Sequence, residues 1–301
     1  MDASGRYAPS PTGSLHLGNL RTALLAWLFA RSQEARFFMR LDDLDSGRVR
    51  PGLDEQQLAD LAALGLDWDG PVIRQSERLE LYAQALAQLD GDKLLYPCYC
   101  TRREIREAVS APHGALPEGA YPGTCRDLSS VERAGRERGG RPPALRLRAG
   151  AAVVSFSDRL LGEHSGVVDD LVVRRNDGAP AYNLAVVVDD NAQGVGEIVR
   201  GADLLHTTAR QLHVAALLGL PAPRHAHVPL VLGPDGTRLA KRHGAVTLAD
   251  RAAAGESPLQ VRSRLAATVG LAAPGEMPSM AQLLERFDPA GLPREPTVLA
   301  P

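Results

Sequence analysis

The stretch that decides the fold spans residues 6–19 and has the sequence RYAPSPTGSLHLGN. Residues 5–8 predict a short strand, and the small and proline-rich residues after them predict a loop. Asn19 is suited to cap a helix that runs to about Ser32. A strand that passes through such a loop into a helix N-terminus favours binding of an anion such as a phosphate.

The following residues continue the alternation of strands and helices. Residues 37–41 predict a second strand, and Asp54 opens a helix in which Gln57 is placed as a capping-box partner. Gly65 is expected to end this helix. Strand, loop, helix, strand and helix in this order predict an α/β fold with a parallel sheet of the Rossmann type.

The middle of the chain interrupts this pattern, which then resumes. Residues 181–188 have the pattern expected of a buried apolar run, and residues 197–199 predict a strand. A helix is expected from Asp203 to Leu218, followed by a last strand at residues 228–232. The predicted divisions are 1–92 and 179–250 for the two halves of a core, 93–178 for an inserted subdomain, and 251–301 for a short helical C-terminal extension with a Pro-rich tail.

Composition limits the class of protein. Hydrophobic residues make up 44% and charged residues 23%, as in ordinary globular chains. The apolar run at residues 24–30 is too short to span a bilayer, so we expect a cytoplasmic protein that does not bind membranes. Because the net charge is −2, an RNA-binding surface would have to be local. Candidate arginines for such a surface are Arg102, Arg103, Arg106, Arg133, Arg136, Arg138, Arg141, Arg174 and Arg175.

The three cysteines, Cys98, Cys100 and Cys125, lie within 28 residues. An odd number in one short segment argues against a disulfide framework and favours a metal site. A closed tetrahedral zinc site needs a fourth ligand, and His113 is the first choice on residue chemistry alone. Free buried thiols without a metal are the alternative.

Lysine is rare in this chain, which has Lys93 and Lys241 among 34 basic residues. A GC-rich genome would account for the bias toward arginine. An ammonium is nevertheless a point charge that a planar guanidinium does not replace at a phosphate. Lys241 is therefore a candidate phosphate-binding residue.

Several ordered motifs resemble the class I aminoacyl-tRNA synthetases in their glutamate-specific form. Residues 6–19 are similar to the family's His-Ile-Gly-His region, with Asn19 in place of the second histidine. The segment RLAKR at 238–242 lies where the Lys-Met-Ser-Lys-Ser loop belongs. The resemblance covers roughly residues 5–250 and implies a Rossmann-type catalytic core that joins glutamate to ATP. Further matching segments are RLDD at 40–43, LGLDWD at 64–69, YNLAVVVDD at 182–190 and EIVRGAD at 197–203.

The resemblance implies a role for each matching residue. His16 and Lys241 would be catalytic and, with the helix N-terminus and a magnesium ion, would stabilise phosphate charge. Asp42 replaces the family's glutamate and Ala240 replaces a serine, which shortens one side chain and removes a hydroxyl. Glutamate would be bound by Arg6, Ala8, Ser10, Asp42, Tyr182 and Arg200. ATP would be bound by Pro9, Gly13, His16, Gly18, Asn19, Arg238, Leu239, Ala240, Lys241 and Arg242.

The resemblance also implies a different fourth metal ligand. Its Tyr-x3-Cys pattern favours Tyr121 over His113, so that Cys98, Cys100, Tyr121 and Cys125 would hold one structural zinc ion per chain.

Only 59 residues follow Arg242, too few for the helical anticodon-binding region of an ordinary glutamyl-tRNA synthetase. The glutamyl-queuosine tRNA(Asp) synthetases share this shortened plan and the cysteine pattern. This resemblance implies a monomer that transfers glutamate to the queuosine base of tRNA(Asp). Two alternatives stay open: a truncated synthetase that charges the terminal adenosine, and a non-catalytic paralogue that binds tRNA.

Overall fold

The computed structural model describes residues 3–101, 103–105, 120–237, 239, 244 and 246–299. The elements of the first part are β1 (Gly5–Tyr7), α1 (Leu17–Arg31), β2 (Phe37–Leu41), α2 (Leu53–Ala63), β3 (Ile73–Arg74) and α3 (Leu79–Gly91). Those of the middle are β4 (Leu95–Cys98), α4 (Ser130–Glu137), β5 (Ala144–Leu147), β6 (Val153–Asp158), β7 (Gly162–Val167) and β8 (Val172–Arg174). The last part contains α5 (Tyr182–Ala192), β9 (Glu197–Gly201), α6 (Thr208–Leu217), β10 (Arg224–Val228), β11 (Val231–Leu232), α7 (Leu248–Ala253), α8 (Pro258–Ala267), α9 (Met280–Arg286) and β12 (Thr297–Val298).

Parallel strands form the centre of the molecule. One sheet has the order β1-β2-β3 with all pairs parallel, and a second has the order β7-β6-β10-β9. Strand β9 is parallel to β10 and lies beside β1, where the backbone N–H groups of Gly196 and Glu197 donate to the carbonyl of Ser4 at 2.9 and 3.1 Å. The predicted α/β core is therefore confirmed.

Helix α1 lies at the centre of the hydrophobic core. Leu20, Leu24, Leu25 and Leu28 are completely buried, and most of the other side chains of this helix are buried too. Every side chain from Ala23 to Ala30 is buried, because the helix contacts β1 and β9 as well as α8 and α9. Each fully buried leucine stabilises the fold by roughly 1.5–3 kcal/mol. The core thereby holds the N-terminus of α1 in a fixed place.

Two predicted helix starts were wrong. Helix α1 begins at Leu17 with His16 as its N-cap, so that Asn19 is the third helical residue and not the cap. Helix α2 begins at Leu53 after Gly52, whose φ of +79° suits glycine. The side chain of Gln57 makes no capping bond in α2 and instead points to the loop after β1. A long-range contact has thus replaced the local one.

Later boundaries also differ from the sequence prediction. The apolar run after residue 181 is part of helix α5, and the helix expected from Asp203 is a 3-10 helix, Ala202–Thr207, followed by α6. The strand expected at residues 228–232 is divided into β10 and β11, and Pro229, which lacks an N–H, lies between them.

The segment predicted as an insert contributes to two sheets. Strands β4, β5 and β8 form a separate three-stranded antiparallel sheet. Strand β6 pairs with core strand β10 through Asp158 and His225, and β7 pairs with β6. The division at residues 93 and 178 stays a prediction.

The proline-rich tail returns to the core. Strand β12 lies parallel to β11, and the N–H groups of Thr297 and Leu299 donate to Leu230 and Leu232 at 3.0 and 2.9 Å. Since β11 immediately precedes the glycine turn at residues 233–237, the tail supports the base of that turn. Within the described ranges, no helix combines the length and apolarity needed to cross a bilayer.

Candidate active site and cysteine cluster

A cleft of about 460 Å³ opens at the carboxyl ends of β1 and β9. This is where the strand order reverses in a parallel α/β sheet and where ligands commonly bind. Leu239 does not line the cleft but is buried and donates its N–H to Val231. Arg238, Ala240, Lys241 and Arg242 lie outside the described residues. The predicted residues that line the cleft are Arg6, Ala8, Pro9, Ser10, Gly13, His16, Gly18, Asn19, Asp42, Tyr182 and Arg200.

His16 forms a reciprocal cap with Asn19. Its Nδ1 accepts the backbone N–H of Asn19 at 3.2 Å, and the Asn19 side chain accepts the backbone N–H of His16 at the same distance. Because Nδ1 accepts, a neutral ring carries its proton on Nε2. Gly18 is packed against this ring, since a Cβ there would lie 3.0 Å from His16 Cε1. The helix N-terminus therefore presents an imidazole of defined tautomer at the cleft.

Gln57 holds the loop between β1 and α1. Its side-chain amide donates to the carbonyls of Ser10 and Gly13 at 3.1 and 2.6 Å, and the residue is completely buried. These bonds hold the middle of the loop, whose backbone also accepts the N–H groups of Asp42 and Arg50. The sequence placed Gln57 in a helix cap and missed this role.

A buried ion network forms the floor of the cleft. Asp190 accepts from Arg6 at 3.1 Å and from Arg40 at 2.6 Å. Burial disfavours the charge of this carboxyl, but the two guanidiniums lower the pKa of Asp190 below its usual value. Arg6 comes from β1, Arg40 from β2 and Asp190 from the end of α5. The network thus joins both halves of the core.

Asp42 is oriented by the same network. Arg40 Nε donates to its carboxylate at 2.8 Å, and the Asp42 side chain is 8% exposed. Burial raises the pKa of Asp42, an effect that the Arg40 guanidinium opposes. A ligand ammonium would favour its charged form, so the group can bind a cation in a cleft that Arg6, Arg40 and Arg200 also line.

Asp189, next to Asp190, closes the network on its other side. Its carboxylate accepts from Gln75 at 2.8 Å, from Arg78 at 2.7 Å and from the Tyr82 hydroxyl at 2.8 Å. These contacts attach α5 to α3 and to the turn before it. The sequence offers one sign of this arrangement, two adjacent aspartates in an apolar run, but does not identify their partners.

Arg200 lies on the opposite wall and is 5% exposed. It donates to Gln211 at 2.7 Å, to Thr208 at 2.8 Å and to His227 Nε2 at 3.0 Å. Tyr182, the first residue of α5, is 45% exposed and also lines the cleft. A carboxylate between Arg6 and Arg200 would meet two guanidiniums of fixed orientation.

A second cavity of about 570 Å³ adjoins the cleft and shares Ser10, Asp42 and Tyr182 with it. Its other wall belongs to the cysteine-containing sheet and includes Cys98 and Arg146. The two cavities therefore lie side by side, and the second is lined by residues of both the core and the inserted strands.

The three cysteine sulfurs lie within 4.8 Å of one another, and all three thiols are free. The Sγ atoms of Cys100 and Cys125 are 3.5 Å apart, and the Tyr121 hydroxyl lies 3.4 and 3.7 Å from Cys98 and Cys100. In tetrahedral zinc coordination, with Zn–S bonds of about 2.3 Å and a Zn–O bond of about 2.0 Å, two ligand atoms are separated by about 3.5–3.8 Å. The geometry fits a metal ion. His113 lies outside the described residues, so its distance to the sulfurs is not defined.

Tyr121 is held in place by several contacts. Its hydroxyl accepts the N–H of Cys125 at 2.8 Å, its own N–H donates to Asp169 at 3.0 Å, and Arg146 lies 3.6 Å over its ring. Burial raises the pKa of the Tyr121 phenol, whereas hydrogen bonds from Cys100 and Cys125 lower the pKa of the Cys98 thiol. A bound dication would favour the phenolate.

The predicted arginine surface is only partly described, because Arg102 and Arg106 lie outside the described residues. Helix α4 has no buried side chain, and Arg136 on it pairs with Glu104 at 3.2 Å. Arg175 pairs with Asp177, while Arg141 lines the second cavity. The surface therefore mixes both charge signs.

Comparison with known proteins gives a consistent result. A family model described as tRNA synthetases class I (E and Q), catalytic domain, matches residues 3–275. The chain is 62% identical over 299 residues to a glutamyl-Q tRNA(Asp) synthetase of Nocardia farcinica, which covers 99% of this chain and 94% of that protein. Identity to the protein of the same name from Symbiobacterium thermophilum is 51% over 304 residues, covering 97% and 94%. A glutamate tRNA ligase from Elizabethkingia meningosepticum, solved in complex with its amino acid, is similar with a TM-score of 0.84, 26% identity and coverage of 99% of this chain and 67% of that chain.

Removing the charge of Asp190 tests the ion network. We expect Asp190→Asn to lower the free energy of unfolding by about 3–5 kcal/mol, because it leaves buried guanidinium charge without its partner. Urea denaturation measures this difference. Asp45→Asn, at a pair with Arg48 whose side chains are 41% and 73% exposed, should change stability by less than about 1 kcal/mol. Equal effects of the two substitutions on the free energy of unfolding would contradict the assignment of Asp190 to a buried ion network.

Proposed function

Since the chain belongs to the class I tRNA synthetases of the glutamate and glutamine type, we propose that it activates L-glutamate with ATP and transfers it to the queuosine base of tRNA(Asp). One observation carries the proposal: a single cleft holds three buried guanidiniums, an oriented carboxylate and a capped helix N-terminus. The names of the relatives support the acceptor.

In the first step, an oxygen of the glutamate α-carboxylate attacks the α-phosphorus of ATP. A phosphorus–oxygen bond forms, the bond to the β-phosphate breaks, and pyrophosphate leaves with its electron pair. Positioning and charge stabilisation are the main contributions that a protein makes to such a reaction. His16 would donate from Nε2 to a phosphate oxygen beside the N-terminus of α1. Magnesium bound with ATP would neutralise phosphate charge.

Glutamate recognition follows from the charges around the cleft. Arg6 and Arg200 would bind carboxylate oxygens, and Asp42 would accept from the substrate ammonium. Ala8 and Ser10 belong to the loop that Gln57 holds. In the second step, a hydroxyl oxygen of the acceptor attacks the glutamyl carbonyl, the bond to the adenylate oxygen breaks, and AMP leaves while the hydroxyl proton is released to solvent. The second cavity, which shares Tyr182 with the cleft, gives the acceptor a route to it.

The cysteine cluster would hold one structural zinc ion through Cys98, Cys100, Tyr121 and Cys125. Such an ion would join the end of β4 to the segment that contains Tyr121 and Cys125. It lies beside the second cavity, so its contribution is to shape the acceptor route rather than to take part in bond formation.

Charging of the terminal adenosine is a second candidate, favoured by the similarity to a glutamate tRNA ligase. Transfer of labelled glutamate to two tRNA pools distinguishes it from base modification. One pool contains queuosine and the other comes from cells unable to make it. We expect label only in the first pool. Equal label in both pools would establish terminal charging. Label in neither, with ATP–pyrophosphate exchange also absent, would leave a tRNA-binding protein.

Lys241 tests the phosphate contacts. We expect Lys241→Ala to reduce glutamate-dependent ATP–pyrophosphate exchange by well over about tenfold, because the proposed role of its ammonium is to stabilise the developing phosphate charge. Lys241→Arg is the matched control, since it retains the charge but not the shape, and should keep more activity than Lys241→Ala. Unchanged exchange in Lys241→Ala would exclude the assigned role.

Metal content tests the fourth ligand. Protein purified without chelator should contain one zinc ion per chain by mass spectrometry, and Tyr121→Phe should lose zinc to a chelator faster than the unsubstituted chain because an oxygen ligand is removed. His113→Ala should behave like the unsubstituted chain. Faster loss in His113→Ala alone would assign the site to histidine, and absence of zinc from the purified protein would overturn the metal site.

A further inference from the structure

Arg200 is held from behind by a line of buried groups that runs away from the cleft. Arg200 Nε lies 3.0 Å from His227 Nε2, and His227 Nδ1 lies 2.6 Å from Asp158 Oδ2. Both His227 and Asp158 have completely buried side chains. Neither residue lines the cleft.

Asp158 can only accept hydrogen bonds in this arrangement. Its carboxylate accepts the backbone N–H groups of Leu160 and Leu161 at 3.0 Å and that of His227 at 3.1 Å. Although burial opposes the charge, the bond from His227 and those backbone bonds lower the pKa of Asp158 to about 2. An ionised carboxylate has no donor, so the proton between the two side chains belongs to His227 Nδ1.

This assignment fixes the role of the other ring nitrogen. In a neutral imidazole with its proton on Nδ1, Nε2 is an acceptor, and the Nε–H of Arg200 donates to it. A proton on Nε2 would place two donors face to face at that distance. Burial lowers the pKa of His227, with Arg200 acting in the same direction and Asp158 opposing it. The other groups at the ring are the Thr208 hydroxyl at 3.3 Å, the stacked ring of His225 and, farther away, His164.

The remaining contacts complete the orientation of the guanidinium. Nη1 donates to Gln211, and Nη2 donates to Thr208 at 2.8 Å and faces the carbonyl of Leu204 at 3.4 Å. A guanidinium has five N–H donors in one plane. The guanidinium also interacts with Tyr182, and both residues line the cleft.

We propose that Asp158 and His227 are positioning residues for the amino-acid substrate: Asp158 fixes the tautomer of His227, and His227 fixes the guanidinium of Arg200 toward a substrate carboxylate. This inference rests on the proposed function, since it requires that Arg200 binds glutamate. It adds two residues, from β6 and β10, that the cleft does not expose.

Asp158→Asn tests control of the His227 tautomer without changing the volume of the side chain at position 158. The asparagine oxygen can still accept backbone N–H groups, but its NH₂ group would face Nδ1 and move the ring proton to Nε2, opposite Arg200. The glutamate KM in ATP–pyrophosphate exchange should rise about tenfold or more, the size expected for losing one hydrogen bond to a charged group. The ATP KM should stay within about twofold, because only the amino-acid contact is changed.

A matched pair of substitutions at His227 tests the acceptor itself. His227→Leu removes it and should raise the glutamate KM as Asp158→Asn does. His227→Gln keeps an oxygen near the position of Nε2. Its increase in the logarithm of the glutamate KM should be at most about half of that of His227→Leu. His225→Leu is the control, because His225 is equally buried on the same strand, stacks on His227 and does not bond to Arg200. It should leave the glutamate KM within about twofold.

Nitrogen-15 NMR of the imidazole rings gives a signature that a purely structural role would not change. At neutral pH, His227 should be protonated at Nδ1 in the unsubstituted chain and at Nε2 in Asp158→Asn. An Nε2–H tautomer in the unsubstituted chain would overturn the proposal even if His227→Leu fails to fold. Unchanged glutamate KM in folded Asp158→Asn and His227→Leu would also overturn it. Lack of any glutamate-dependent exchange by the unsubstituted chain would instead refute the proposed function. The NMR measurement would then still test the hydrogen bonds from Asp158 through His227 to Arg200.

Discussion

The contact on which the site depends is the carboxylate of Asp190 between the guanidiniums of Arg6 and Arg40. These groups come from the end of α5, from β1 and from β2, which are distant in sequence and meet only in the folded chain. A buried ion network of this kind adds little to stability compared with an apolar core of the same volume. Its value lies in orientation, since it fixes Arg6 at the cleft and allows Arg40 to hold Asp42.

Other parts of the cleft are also held in place by buried hydrogen-bond partners. Arg200 is fixed by Thr208, Gln211 and His227, and the loop after β1 is fixed by Gln57. Arg6, Asp42 and Arg200 therefore have their geometry set by buried partners before a ligand arrives, which is what preorganised electrostatic stabilisation requires. The apolar packing of α1 has a corresponding role, because it determines where the helix N-terminus and His16 lie.

Local sequence patterns predicted the local part of this structure. The strand, loop and helix of residues 5–31 follow from small residues, prolines and apolar spacing. The motifs predicted residues such as Arg6, Asp42 and Arg200, which line the cleft. The cap of α1 was placed three residues too late because His16 and Asn19 cap each other, and the pattern favours asparagine. Tyr121 came from a motif, and its hydroxyl lies 3.4 Å from the Cys98 sulfur, while its role as a metal ligand stays a prediction.

Contacts between distant residues could not be predicted in this way. Arg40 and Asp190 are 150 positions apart, Asp158 and His227 are 69 apart, and no spacing or periodicity links them. Gln57 satisfied a helix-cap pattern while its side chain bonds to residues more than 40 positions earlier. The tail after residue 289 has a composition that is typical of a loose end, but its backbone pairs with β11. Such contacts depend on tertiary geometry rather than on neighbouring residues.

The most direct test of the account is ATP–pyrophosphate exchange measured without tRNA, with glutamate, glutamine and aspartate compared at equal concentration. The account predicts saturable exchange with glutamate and at least about tenfold less with glutamine, because an amide cannot pair with a guanidinium as a carboxylate does. Aspartate, one methylene shorter, should also be a poor substrate. Exchange of equal rate with all three amino acids, or exchange with none of them, would contradict the assignment of the cleft to glutamate.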